Sequence, residues 1–130
     1  ARCMYIDKKT VQRDRLAAAQ RLARDWKGVV LLKGRGSLVS DGERAALNPT
    51  GGPGLAKGGS GDVLTGLVAG LWAQMLASER VKGDCAFLAA ALGAWLHGRA
   101  GELAEKALTP YAMTAQDVIA RLPEAFQERL

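Results

Sequence analysis

The residues of this chain best suited to chemistry lie between positions 48 and 65, in NPTGGPGLAKGGSGDVLT. Glycines at 51, 52, 54, 58, 59 and 61 let the backbone fold tightly and leave its N–H groups unobstructed. The apolar run that follows has the composition of a helix. The unpaired N–H groups of its first turn and the positive end of its dipole therefore converge where the glycines end. Such a spot binds phosphate, and binds still better the charge that develops as a phosphoryl group is transferred. Asp62 is the only carboxylate between Glu43 and Glu79. In the first helical turn it could accept the proton of a hydroxyl attacking phosphorus, or it could simply cap the helix. Six glycines on the approach are more than a cap requires, which favours the chemical role. The loop is not a Walker A motif, because Lys57 precedes Gly58-Gly59 instead of following the glycine spacing.

A second group, Lys33-Gly34-Arg35-Gly36-Ser37, follows the apolar run Val29-Val30-Leu31-Leu32. Open α/β sheets place ligands at the ends of such strands. Two cations, two glycines and a hydroxyl there suit the phosphates or ribose of a nucleotide, although Lys33 alone could be an ordinary strand-end charge.

The elements that must position these groups can be read from apolar spacing. Residues 10–26 carry Val11, Leu16, Ala19, Leu22, Ala23 and Trp26 at helical intervals, with charges between them, and Gly28 ends the run. Residues 29–32 read as a strand buried on both faces. Residues 37–40 and 44–48 flank Asp41-Gly42, a two-residue hairpin signal. The glycine loop then leads into an apolar helix over 62–77, where Gly66, Ala69 and Gly70 would allow close approach of a neighbouring backbone. A second helix is expected over 84–100. Thr114-Ala115-Gln116-Asp117 resembles a capping box opening a last helix that stops near Pro123. Trp26, Trp72 and Trp95 fall on apolar helical faces and are expected in the core. His97, the only histidine, is expected at a helix end in a structural role.

Composition narrows the class. The chain has 130 residues, 48% of them apolar and 24% charged, which suits one soluble globular domain. The net charge of +5 is spread among acids without a basic stripe interleaved with aromatics, so a nucleic-acid partner is not expected. A small anionic substrate fits the same charge. Cys3 and Cys85 lack metal-ligand spacing and read as reduced thiols, Cys85 packed in a helix. No metal cluster is expected. The longest apolar stretch, 63–77, is too short to span a bilayer, and a cytoplasmic protein without a membrane partner is expected. Self-association is compatible with the apolar helices. The pattern is α/β, yet it offers only three or four strands and begins without Met, directly before a helix. The 130 residues are therefore expected to form one partial domain, the remainder of its sheet supplied by a preceding segment.

Several words of the sequence together resemble the ADP- or ATP-dependent NAD(P)H-hydrate dehydratase family. They are Lys33-Gly34 with Ser37, Asn48-Pro49-Thr50-Gly51-Gly52-Pro53-Gly54, and Gly58-Gly59-Ser60-Gly61-Asp62-Val63-Leu64-Thr65-Gly66. His97-Gly98, Ala100-Gly101, Met113-Thr114-Ala115 and Leu122-Pro123 agree as well. The resemblance implies a ribokinase-like α/β fold with a mostly parallel central sheet flanked by helices. It implies that Asp62 faces and activates the 6-hydroxyl of hydrated NADH or NADPH. It implies that the Gly59, Ser60 and Gly61 amides stabilise the transferring charge. Lys33, Gly34, Arg35, Gly36 and Ser37 would line ADP or ATP, as would Gly52, Pro53, Gly54, Leu55, Ala56, Lys57, Gly58, Gly59, Ser60 and Gly61. Mg²⁺ would arrive with the nucleotide. The family's His-Pro-Gly-Glu-like segment has no counterpart here. Glu102 stands where the family often has Asp, and Ser37 and Ser60 where it has Thr. The same core motif would also serve a small-molecule kinase of this fold acting on a hydroxymethylpyrimidine or sugar, or an inactive nucleotide-binding fragment.

Overall fold

A computed structural model describes residues 14–129. Helix α1 (Arg15–Trp26) starts at Asp14, whose carboxylate accepts from the Ala17 N–H at 3.0 Å, and ends at Lys27 in the left-handed region. The expected first turn of this helix, from residue 10, and Cys3 both lie outside the described residues. Ala18, Ala19 and Ala23 form the buried face of α1, while Trp26 is 57% exposed and not in the core. The helix packs on β1 (Val30–Leu32) and β2 (Leu38–Ser40).

β1, β2 and β3 (Ala45–Leu47) form an antiparallel sheet in that order. Leu31, Val39 and Ala46 are in register across it and pack with Phe87, Ala90 and Val68. β1 pairs with β2 alone among the described residues and is only half-buried, so the two-sided burial expected for this strand is not found here. The mostly parallel sheet of the expected fold is likewise not contained in these residues. The hairpin is where Asp41-Gly42 places it, but its turn takes four residues, 41–44, because Ser40 pairs with Ala45. Asp41 accounts for the extra length. Its Oδ1 accepts from the N–H groups of Glu43 and Arg44 at 3.0 and 2.7 Å, and its Oδ2 accepts from Arg44 Nε at 2.8 Å.

Three helices follow the glycine loop. Helix α2 (Ser60–Ala77) begins two residues earlier than its composition suggests, with Gly59 at φ 86° as its N-cap. Its Leu64 and Leu71 are buried, whereas Trp72 is 45% exposed, again outside the core. Among the described residues nothing comes within 4 Å of a Cβ placed on Gly66 or Gly70. Helix α3 (Cys85–Ala112) continues twelve residues past the expected end, breaking only at Thr109 (φ 69°), the residue before Pro110. Its buried positions, from Cys85 through Leu96 to Ala104, form the spine of the core.

Helix α4 (Ala115–Arg129) opens as expected, the Asp117 carboxylate accepting from the Thr114 N–H at 2.7 Å. It does not stop at Pro123. Ala125 is fully buried beyond it, Phe126 packs on the core, and Glu128 takes Arg99 Nε at 2.6 Å, so tertiary contacts hold the last turns. Trp95 does join the core, with the Arg129 guanidinium 5.1 Å from its ring centroid. Cys85 is buried at the head of α3. No helix among the described residues is long and apolar enough to cross a membrane.

Candidate active site

The glycine loop has few side chains with which to hold itself, and α3 holds it. Asn48 Nδ2 donates to the Ala94 carbonyl at 3.0 Å, and the Thr50 hydroxyl lies 2.9 Å from the Trp95 carbonyl. One turn and more further on, Glu102 Oε1 accepts from the Gly51 N–H at 3.0 Å and Glu105 Oε1 from the Gly54 N–H at 2.6 Å. Past the break in α3, Lys57 Nζ donates to the carbonyls of Tyr111 and Met113 at 3.0 and 2.6 Å. The loop thus climbs one face of α3 in order, rung by rung. Gly98 lets the two come together, since a Cβ there would lie 2.7 Å from the Thr50 carbonyl carbon.

Residues 33–37 are held differently. Arg15 in α1 donates to the carbonyls of Leu32, Arg35 and Gly36 at 3.2, 2.7 and 3.1 Å. One guanidinium thereby shapes the whole turn, and the Ser37 hydroxyl adds a bond to the Gly34 carbonyl at 3.2 Å. Between this turn and the glycine loop lies a cleft of ≈ 1280 Å³. Among the described residues its wall carries Arg15, Lys33 and Arg35 and no carboxylate, so its electrostatics suit an anion.

Of the residues singled out from the sequence, Lys33, Gly34, Arg35, Gly36, Ser37, Gly52, Pro53, Leu55, Ala56 and Ser60 line this cleft. The others take separate places. Gly54 is turned toward α3, where a Cβ would collide with Met113 and Glu105. Lys57 is occupied by the carbonyls of Tyr111, at the end of α3, and of Met113, its C-cap. Gly58 is exposed, with nothing among the described residues within 4 Å of a Cβ placed on it, and Gly59 is the left-handed cap of α2. Gly61 and Asp62 form the first turn of α2 at the edge of the cleft, with the Asp62 side chain exposed. A Cβ on Gly61 would lie 2.7 Å from Lys33 Nζ, so the ammonium rests directly over that turn. Among the described residues, no backbone carbonyl takes the N–H of Gly61 or of Asp62. The turn therefore combines free amides, a helix dipole, a cation and a carboxylate.

Beneath it lies His97, which is in the middle of α3 and not at a helix end, because α3 runs on to Ala112. The residue is 5% exposed, and its Nε2 is 2.9 Å from the Ser60 carbonyl oxygen and 3.3 Å from Ser60 Oγ. Burial, reinforced by the Lys33 ammonium, holds its pKa below the ordinary value against the opposing bond to Ser60. The neutral ring then carries its proton on Nε2 to donate to the carbonyl. Arg15, Asn48, Thr50, Glu102 and Glu105 complete the support of the site. Only the word Asn48-Pro49-Thr50 and the family position of Glu102 marked any of them in advance as more than ordinary polar residues.

Residues 2–124 match the family model described as NAD(P)H-hydrate dehydratase. This chain belongs to that family. It is 44% identical over 125 residues to the bifunctional NAD(P)H-hydrate repair enzyme Nnr of Moorella thermoacetica, covering 95% of this chain and 22% of that protein. The Vibrio cholerae enzyme of the same name is 40% identical over 124 residues, covering 95% of this chain and 24% of its own length. Among solved structures, the ADP/ATP-dependent NAD(P)H-hydrate dehydratase of Bacillus subtilis, co-crystallised with ATP and Mg²⁺, matches with a TM-score of 0.76. The identity is 31%, over 92% of this chain and 41% of that one. The ribokinase-like fold expected from the sequence is thereby established. The chain spans less than a quarter of the curated relatives' length and about two fifths of the solved dehydratase.

Proposed function

We propose that this protein restores hydrated NADH or NADPH by nucleotide-dependent dehydration. The observation that carries the reading is the composition of the first turn of α2. There the Asp62 carboxylate, the free N–H groups of Gly61 and Asp62, and the Lys33 ammonium meet beside a cationic cleft. The cleft and its glycine backbone fit the phosphates of ADP or ATP, and family membership supplies the second substrate.

Asp62 takes the proton of the 6-hydroxyl as that oxygen attacks the terminal phosphorus of the nucleotide. A new P–O bond forms, the bridging P–O bond breaks, and AMP or ADP departs with the electron pair. The Gly61 and Asp62 amides and Lys33 hold the charge that gathers on the transferring group. The C6–O bond then breaks, phosphate leaves with its electrons, and loss of a ring proton restores the double bond. Phosphate is a far better leaving group than hydroxide, which is the reason for spending a nucleotide. Mg²⁺ fits as a companion of the phosphates. Among the described residues no cluster of three His, Cys, Asp or Glu side chains stands ready to hold a metal, and Mg²⁺ at nucleotide sites keeps mostly water and phosphate oxygens.

The test uses the full-length protein with hydrated NADH and either ADP or ATP, following NADH recovery together with AMP or ADP release. Recovery equal to nucleotide consumed supports the reading and identifies the donor. Nucleotide bound in the cleft without NADH recovery sinks it, and favours a kinase whose phosphorylated product persists.

A further inference from the structure

We infer that His97 is a positioning residue for phosphoryl transfer, acting through the peptide bond that joins Ser60 to Gly61; this rests on the reading above. A peptide unit is planar, and its C=O and N–H point in opposite directions. The Ser60 carbonyl and the Gly61 N–H belong to one such unit. The 2.9 Å bond from His97 Nε2 to the Ser60 oxygen therefore adds to the helical ladder a second hold on where the Gly61 N–H points on the other side. That N–H has no backbone acceptor among the described residues, and Lys33 Nζ lies over the same glycine.

The helix's own ladder, which begins with the Val63 N–H on the Gly59 carbonyl at 3.1 Å, is the turn's other hold. Gly59, its N-cap, has no side chain with which to hold the first turn, and no side-chain capping bond is made there. Gly61 is free of side-chain restraint as well. Of the three residues 59–61, only Ser60 is buried, at 2% exposure, and its carbonyl is the group that His97 holds. Donation into that carbonyl also polarises the peptide, making the opposite N–H a stronger donor to an anion. The bond spans 37 residues of sequence, so it ties the amide that receives charge to the helix that carries the whole glycine loop.

The experiment compares His97→Leu, which removes the donor, with His97→Gln, whose amide nitrogen can occupy the position of Nε2. Both are made in the full-length protein. Two readouts are taken: kcat with hydrated NADH, and affinity for AMP or ADP with aluminium fluoride, a mimic of the phosphoryl group in flight. In His97→Leu, kcat should fall about 10- to 100-fold with KM values within about threefold, less than the roughly 10²- to 10³-fold for outright removal of a donor, because the amide is misaimed but not lost. Affinity for the fluoride complex should fall in parallel, and His97→Gln should restore most of both. Unchanged kcat and fluoride affinity in His97→Leu would overturn the inference. So would equal losses in both variants, or in His97→Gln alone should the leucine variant not fold. A wild-type protein that binds the fluoride complex but never restores NADH defeats the repair reading only, and the fluoride affinities then judge His97 on their own.

Discussion

Replacing Gly98 by alanine tests whether contact between α3 and the glycine loop sets the geometry of the site. A Cβ at this position would lie 2.7 Å from the Thr50 carbonyl carbon and 2.8 Å from its oxygen, both backbone atoms that have no rotamer to change. Ordinary contact begins at 3.4 Å, so loop and helix must part by about 0.7 Å in an interior packed too tightly to absorb it elsewhere. The Thr50 hydroxyl, 2.9 Å from the Trp95 carbonyl, and Asn48 Nδ2, 3.0 Å from that of Ala94, would be stretched toward the limit of hydrogen bonding. Overpacking costs about 1–3 kcal/mol, and a weakened buried hydrogen bond about 1 kcal/mol more. The expected destabilisation is thus about 2–4 kcal/mol, read as a lowered denaturation midpoint with unchanged slope. The displaced loop should also weaken nucleotide binding and lower kcat by up to about 100-fold, since misplacement by about 1 Å is enough. A Gly98→Ala protein with wild-type midpoint and wild-type nucleotide affinity would refute the view that this contact sets the loop.

Asp62→Asn should lower kcat by about 10²- to 10⁴-fold, the usual worth of a general base, while isothermal titration finds nucleotide affinity nearly unchanged. Collapse of nucleotide binding in that variant would instead mark Asp62 as part of the binding site. Arg15→Met removes three donors to the turn at 32–36, and both denaturation midpoint and nucleotide affinity should fall. The Arg44 N–H and guanidinium, with the Glu43 N–H, hold Asp41 at about 2 instead of 3.8. The folded value being the lower, its stabilisation is fully present above 3.8 and is lost as the pH falls through about 2. Asp41→Asn should remove that part of the acid-unfolding slope, and added salt should shrink it because the pair is exposed.

Much of this architecture is local and was legible as such. The periodic apolar residues of α1, the hairpin signal at Asp41-Gly42, the Thr114–Asp117 cap and the glycine approach to Asp62 each announce themselves within a few residues. What escaped is what distant contacts decide. The run of α4 past Pro123 depends on Ala125, Phe126 and the Glu128–Arg99 pair, none of which can be weighed without the packed core. Trp26 and Trp72 follow apolar spacing yet stand largely exposed, because periodicity gives the face of a helix but not what covers it. The site divides along the same line. The residues proposed to bind phosphate form a recognisable word, whereas Glu102, Glu105 and His97 reach it across 51, 51 and 37 residues. Lys57, which reads in sequence as one more cation of the loop, proves to be tied to two carbonyls at the C-terminal end of α3, those of Tyr111 and of the C-cap Met113.

The ordered rungs between the glycine loop and α3 also limit how the two segments can change length. Each residue added to a helix advances it by about 1.5 Å and turns everything beyond by about 100°. One insertion between Trp95 and Glu102 would leave the Asn48 and Thr50 rungs in place while swinging Glu102 and Glu105 away from the amides of Gly51 and Gly54. The loop could not follow, being held at both ends. Single-residue insertions or deletions in this stretch of α3 should therefore be tolerated only when the glycine loop changes with them. The connection between α2 and α3, residues 78–84, is mostly exposed and bears no rung, so it can lengthen before Asp84, which caps α3 and pairs with Arg44 at 2.9 Å. Helix and loop behave as one measured part, and a transplant of this site onto another scaffold must carry both.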